Sequence, residues 1–209
     1  MRPVRLLRPL LALIARRALK GERDAPELRV LVDATFAHYE RNTPEVALER
    51  TFGARLMVRL AALTLAFHEA LVGQGVSAAE ASRLTARATW VAYEKMALVP
   101  RALAALTTRD PRRRLERATR IFRWFPFGPP GYVMLDVEAD PGVVAFDVRR
   151  CPVAEHFRKH DRASVCVESF CDLDFPLARQ WDATLERRLT IAGGAERCDF
   201  RWHHVASKS

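Results

Sequence analysis

No cysteine occurs before position 151. No stretch of the chain approaches the roughly 18 consecutive apolar residues that a bilayer-spanning helix needs. The Gly-rich patterns of phosphate and dinucleotide loops are missing, as are G-x-S-x-G and any C-x-x-C pair. These absences argue against a P-loop or Rossmann nucleotide binder, a nucleophile-elbow serine hydrolase and a zinc finger. No Ser-His-Asp array is legible, and no low-complexity tract interrupts the 209 residues. What remains is ordinary globular composition, 49% hydrophobic and 28% charged, with ample material for a buried core.

The four cysteines all fall in the last 59 residues, at Cys151, Cys166, Cys171 and Cys198. Glu168, Asp172, Asp174, Asp199 and the pair His203-His204 lie among them. Thiols and carboxylates gathered in one short segment are the material of a nucleophilic or a metal site, so any chemistry is expected there.

Positive charge is in excess, but only locally. Of the net +9, residues 1–23 contribute +6 and residues 109–123 contribute +5, which leaves the remainder slightly acidic. No helix-turn-helix, zinc-finger spacing or RNA-reading aromatic motif accompanies the arginines, so nucleic acid is not an expected partner. Basic segments of this kind are solvated faces, or contacts to anionic membranes or other subunits. The N-terminus imitates a signal peptide, because apolar Leu10–Ala15 follows three arginines. Pro9 interrupts the run, however, and Arg16-Arg17 close it without a small-residue cleavage site. A basic amphipathic helix is the better reading, with residues 1–21 available for peripheral contact with the inner membrane surface. The expected compartment is the cytoplasm, with free thiols. The helical half carries enough apolar surface for a homo-oligomer.

Punctuation predicts helices over the first 125 residues. Asp24 and Pro26 open one that runs to about Tyr39, and Thr43-Pro44-Glu45 opens a long one that ends before Gly73. Ser77 and Glu80 form a capping box for a third, with Pro100 near its end, and Asp110-Pro111 cap a basic fourth. Gly128-Pro129-Pro130-Gly131 marks a boundary. Beyond it, residues 132–138 and 143–149 read as strands around an Ala139-Asp140-Pro141-Gly142 turn. Residues 152–160 and 163–170 read as short helices, and 184–191 and 197–204 as an antiparallel pair turning at Gly193-Gly194. The predicted fold is α+β, a helical layer on a small antiparallel sheet with cysteine-bearing short helices. It divides into a basic N-terminal segment (1–23), a helical region (24–127) and a cysteine-containing α+β region (128–209), with 24–209 as one globular unit.

The C-terminal pattern resembles the L-2-amino-thiazoline-4-carboxylic acid hydrolase family. The residues that carry the likeness are Cys151 just after a strand, Cys171-x-x-Asp174, Leu189-Thr190-x-x-Gly193 and Cys198-Asp199-Phe200. They cover roughly residues 125–205. The resemblance implies hydrolysis of a carbon–nitrogen bond in a cyclic amidine, with a 2-aminothiazoline carboxylate opened to an N-carbamoyl-cysteine. The alternative is a non-catalytic module that binds a small ligand or metal on the same fold.

On this reading Cys171 is the nucleophile, and Asp174 orients water or relays a proton. A depressed thiol pKa would need a cation such as His156, His160 or Arg188 nearby, since Asp174 itself acts in the opposite direction. Cys198 shares one strand face with Phe200 and Trp202, and Cys151 stands at the rim of the same pocket. Cys166 reads as core, and Glu168 as an exposed helix residue. A substrate carboxylate calls for an arginine. Arg149, Arg150, Arg187 and Arg188 flank the strands, and Arg188 is taken as the binder together with Thr190 and Gly193. No cofactor is expected. The rival chemistry is zinc held by Cys151, Cys171 and Cys198.

Overall fold

Side-chain caps set the starts of four of the long helices in the computed structural model, which describes residues 7–43 and 46–205. Helix α1 spans Arg8–Ala18. Helix α2 spans Ala25–Asn42 behind a reciprocal box, in which Asp24 accepts from the Glu27 N–H and Glu27 from the Asp24 N–H, both at 2.8 Å. Thr51 caps α3 (Phe52–Gly73), Ser77 caps α4 (Ala78–Thr107), and Asp110 caps α5 (Pro111–Trp124). Strands β1 (Val133–Asp136) and β2 (Val143–Arg150) form the expected hairpin, turning at Gly142 with φ +90°. Short helices α6 (Pro152–Lys159), α7 (Ala163–Ser169) and α8 (Asp174–Gln180) follow, with a 3₁₀ turn at Cys171–Leu173 before α8. Strands β3 (Ala183–Glu186) and β4 (Cys198–His204) complete an antiparallel sheet in the order β1-β2-β4-β3. The architecture is α+β.

Four boundaries differ from the sequence reading. Helix α3 begins at Phe52, not at Thr43-Pro44-Glu45, of which Pro44 and Glu45 lie outside the described residues. Helix α4 runs through Pro100 to Thr107. Proline removes one helical N–H, and the end of α8 braces this stretch: Trp181 Nε1 donates to the Ala97 carbonyl at 3.0 Å and Gln180 Nε2 to that of Glu94 at 3.3 Å. Strand β3 stops at Glu186 because Asp199 Oδ1 takes the N–H groups of Arg188 and Leu189, at 3.0 and 2.6 Å, out of any ladder. Residues 187–197 therefore form a loop, not a tight two-glycine turn. Finally, α7 ends at Ser169, so Cys171 and Asp174 do not share one helix.

Two main cores hold the molecule. The larger lies between α3, α4 and α5 on one side and the sheet with α6–α8 on the other, and buries Phe122, Tyr132, Phe157, Trp181 and Trp202. The smaller joins α1 to α2, α3 and α4 through Leu11, Leu19, Leu31, Phe36 and Leu71. The apolar stripe of α1 thus faces inward, with Leu7, Leu10 and Leu13 left on the outside. Among the described residues, α3 is the one helix long and apolar enough to cross a membrane, yet it supplies buried residues to both cores.

Candidate functional site

Strand parity assembles the floor of one cavity. On β4, Cys198, Phe200 and Trp202 alternate onto the face that looks toward the helices. Opposite them on β2 stand Val148 and Phe146, the latter stacked on Phe200 with ring centres 5.0 Å apart. Cys151 follows β2, Cys166 lies on α7, and Cys171 sits where α7 has just broken. Met57 of α3, Tyr93 of α4, and Phe122 and Arg123 of α5 close the roof. All four thiols line this space of about 110 Å³. An apolar cavity of about 150 Å³ accepts benzene, so the scale here is that of one small ring.

The thiols are not equivalent. Cys151 Sγ accepts the Ala154 N–H at 3.5 Å and caps α6, while Cys198 Sγ accepts the Ile191 N–H at 3.2 Å. Burial outweighs these donors, pushing Cys198 up to about 12 and Cys151 well above the usual thiol range. Cys171 alone is lowered. A hydrogen bond from Cys166 contributes most, and the charge of Arg187 and the Thr190 hydroxyl at 3.7 Å add to it, against burial and Asp174. Cys166 is raised correspondingly by the same bond. The cation beside Cys171 is Arg187, and neither His156 nor His160 lines the cavity.

Arg187 is the hub. Its side chain is 2% exposed, and its Nη1 donates to Asp174 Oδ2 at 2.8 Å and to the Cys171 carbonyl at 2.7 Å. Tyr93 Oη donates to the other oxygen of Asp174 at 3.1 Å. Burial still raises the Asp174 carboxyl to about 6, because desolvation of the carboxylate exceeds what Arg187 and Tyr93 return. Three further donors, Arg187 Nε, Tyr132 Oη and Trp202 Nε1, are buried without a hydrogen-bond partner among the described residues, and all three residues line this cavity. An orphaned buried donor costs about 1–3 kcal/mol. Acceptors on a molecule bound in this ring-sized space could offset that cost.

The expected site residues are thus partly gathered. Cys171, Asp174, Cys151 and Cys198 meet at the cavity. Arg188 does not: its side chain is 81% exposed and pairs with Glu186, because the backbone turns Arg187 inward instead. Thr190 and Gly193 stand behind Cys171, where the Gly193 N–H holds the Thr190 hydroxyl at 3.1 Å, and neither lines the cavity. Arg150 ties Glu49 to Glu155, and Arg149 joins Asp147. Among the described residues no three His, Cys, Asp or Glu side chains form a group that could hold a metal ion, the Cys151, Cys171 and Cys198 of the rival zinc reading included. Sequence reasoning missed Tyr93, Arg123, Tyr132 and Trp202, and assigned Cys166 to the core alone.

Comparison with protein families matches residues 60–202 to the model described as L-2-amino-thiazoline-4-carboxylic acid hydrolase, more than half of the chain. The match begins inside α3 and takes in the helical roof as well as the cysteine-bearing part. No curated protein and no solved structure matches.

Proposed function

Because the chain belongs to the L-2-amino-thiazoline-4-carboxylic acid hydrolase family, we propose that it opens the ring of a small amino-acid-like cyclic amidine, of the 2-aminothiazoline-4-carboxylate kind, with Cys171 as nucleophile. One observation carries this reading: the thiol with the lowered pKa shares a ring-sized cavity with three buried donors that have no protein partner.

The bond that breaks follows from the product. An N-carbamoyl-cysteine keeps both nitrogens on the former C2 carbon, so the ring opens at C2–S and not at the C–N bond expected from the sequence. The Cys171 thiolate adds to C2 of the amidinium, and the adduct collapses with the ring sulfur leaving as a thiolate. An amidino group is then carried on Cys171. Asp174, ionised above about pH 6, takes a proton from water as the water adds to the same carbon. Collapse of this second adduct expels the Cys171 thiolate and leaves the urea carbonyl once its hydroxyl proton is lost to solvent. The proton on Asp174 passes to the product thiolate. Arg187 holds Asp174 against Cys171, and the free donors of Arg187, Tyr132 and Trp202 receive substrate acceptors, the departing sulfur among them. The route needs no cofactor and no nucleic-acid partner, and we assign it to the cytoplasm, where thiols stay reduced.

Mass spectrometry of the protein incubated with L-2-aminothiazoline-4-carboxylate tests the proposal. The expected result is N-carbamoyl-cysteine with a transient adduct on the Cys171 peptide, insensitive to chelator and reduced at least about 10³-fold in Cys171→Ser. Turnover that survives in Cys171→Ser removes the nucleophile assignment, and turnover lost to chelator replaces it with metal-assisted chemistry. Ligand binding without turnover leaves the non-catalytic binding module.

A further inference from the structure

The proposed reaction makes no use of the charges on the arginine-dense α5 or of the groove beside it. The groove, about 580 Å³, runs between α5 and the β1–β2 hairpin. It shares Arg123, Phe127, Tyr132 and Met134 with the thiol cavity, so these four residues form the partition between the two spaces. Arg123 is the only charged member. Its guanidinium lies 4.4 Å from the centre of the Phe146 ring on the cavity side and pairs with Asp136 of β1 at 2.6 Å on the groove side. The Arg123 side chain is 23% exposed and that of Asp136 81%. Arg120 and Glu116 are the other charged residues of the groove.

We infer that the groove is the way into the thiol cavity, and that Arg123 admits and orients a small organic carboxylate by exchanging Asp136 for it. The inference rests on the thiol cavity being the reactive site. An ion pair with so exposed a carboxylate contributes little, so an incoming anion displaces Asp136 at small cost. The Phe146 ring beneath it holds the guanidinium at the partition, and its fork of donors can take a carboxylate bidentately. Arg187, deeper inside, cannot serve in the same way, because its Nη1 is already committed to Asp174 and the Cys171 carbonyl. Arg120 lines the same groove and Arg112 lies against Gly142 at the turn of the hairpin, which adds positive charge that raises the local concentration of anions. Asp136 then acts as a stand-in that keeps the arginine oriented until substrate arrives.

Alkylation of Cys171 by iodoacetate and by iodoacetamide, followed on the Cys171 peptide by mass spectrometry, separates anion selection from turnover. Arg123→Gln should lower the iodoacetate-to-iodoacetamide rate ratio about 10-fold, with Arg123→Lys retaining most of it and added salt eroding it. Asp136→Asn, a change at an exposed side chain, should raise the ratio. An unchanged ratio in Arg123→Gln, or no rise in Asp136→Asn, overturns the inference and leaves the thiol site standing. If neither reagent labels Cys171, the thiol site and the inference fall together.

Discussion

Cys171 is set apart from the other three thiols by what donates to it: a second thiol, a hydroxyl and the field of one guanidinium. If Cys166 supplies the main donor, Cys166→Ala should move the pH midpoint of Cys171 alkylation upward. A midpoint unmoved in that variant would assign the lowering to Arg187. Asp174 gives a prediction of stability. Its folded pKa of about 6 lies above the ordinary aspartate value of 3.8, so the folded state binds this proton more tightly than the unfolded chain does. The contribution is complete below about pH 4 and is lost as the pH rises through about 6; it amounts to on the order of 1–3 kcal/mol. Urea unfolding of wild type between pH 4 and 7 should show this fall, and Asp174→Asn should flatten it. The same carboxyl, as the base in turnover, should give kcat/KM a rising limb near pH 6 that Asp174→Asn removes.

Helix α4 continues through Pro100 because α8 supplies donors to the carbonyls around it. Trp181→Phe keeps most of the buried ring but deletes the bond to Ala97, and should cost about 0.5–1.5 kcal/mol by chemical denaturation. At the start of α3, a Cβ on Gly53 would lie 2.3 Å from the Pro126 carbonyl oxygen, so Gly53→Ala should destabilise by about 1–3 kcal/mol. Such long-range closeness is what the sequence reading could not supply. Capping residues and the change of period at Gly128–Gly131 made the α+β layout legible, since both are local signals. The end of β3 was not legible, because it depends on Asp199 reaching across the loop from β4. Arg187 was within reach of the sequence. Ala183 and Leu185 face the core, and the same alternation carried two residues further turns Arg187 inward and Arg188 out. Tyr93 gave no such signal. It meets Asp174 across 81 residues, and nothing in its own helix distinguishes it from a core tyrosine.

At the scale of the molecule, the N-terminal segment has two faces with different duties. Leu11 and Leu19 are built into the smaller core, so deleting residues 1–21 should unfold the helical layer and would not isolate a membrane contact. The outward leucines offer a cleaner test. We propose that Leu7, Leu10 and Leu13, beside Arg16 and Arg17, touch anionic membranes, and Leu10→Glu with Leu13→Glu should abolish co-sedimentation with phosphatidylserine vesicles while leaving the circular dichroism unchanged. Wild type that stays in the supernatant would end that proposal. The thiol cavity raises a different matter, because its walls come from α3, α4, α5, α7 and the sheet, and it belongs to none of them singly. A molecule that meets the donors of Arg187, Tyr132 and Trp202 can recognise only the assembled chain. In folding terms a molecule bound there would act as the last side chain of the core, a keystone supplied from solution. At a hundredfold excess over its Kd, such a molecule would add about 2.7 kcal/mol to the stability of the folded protein.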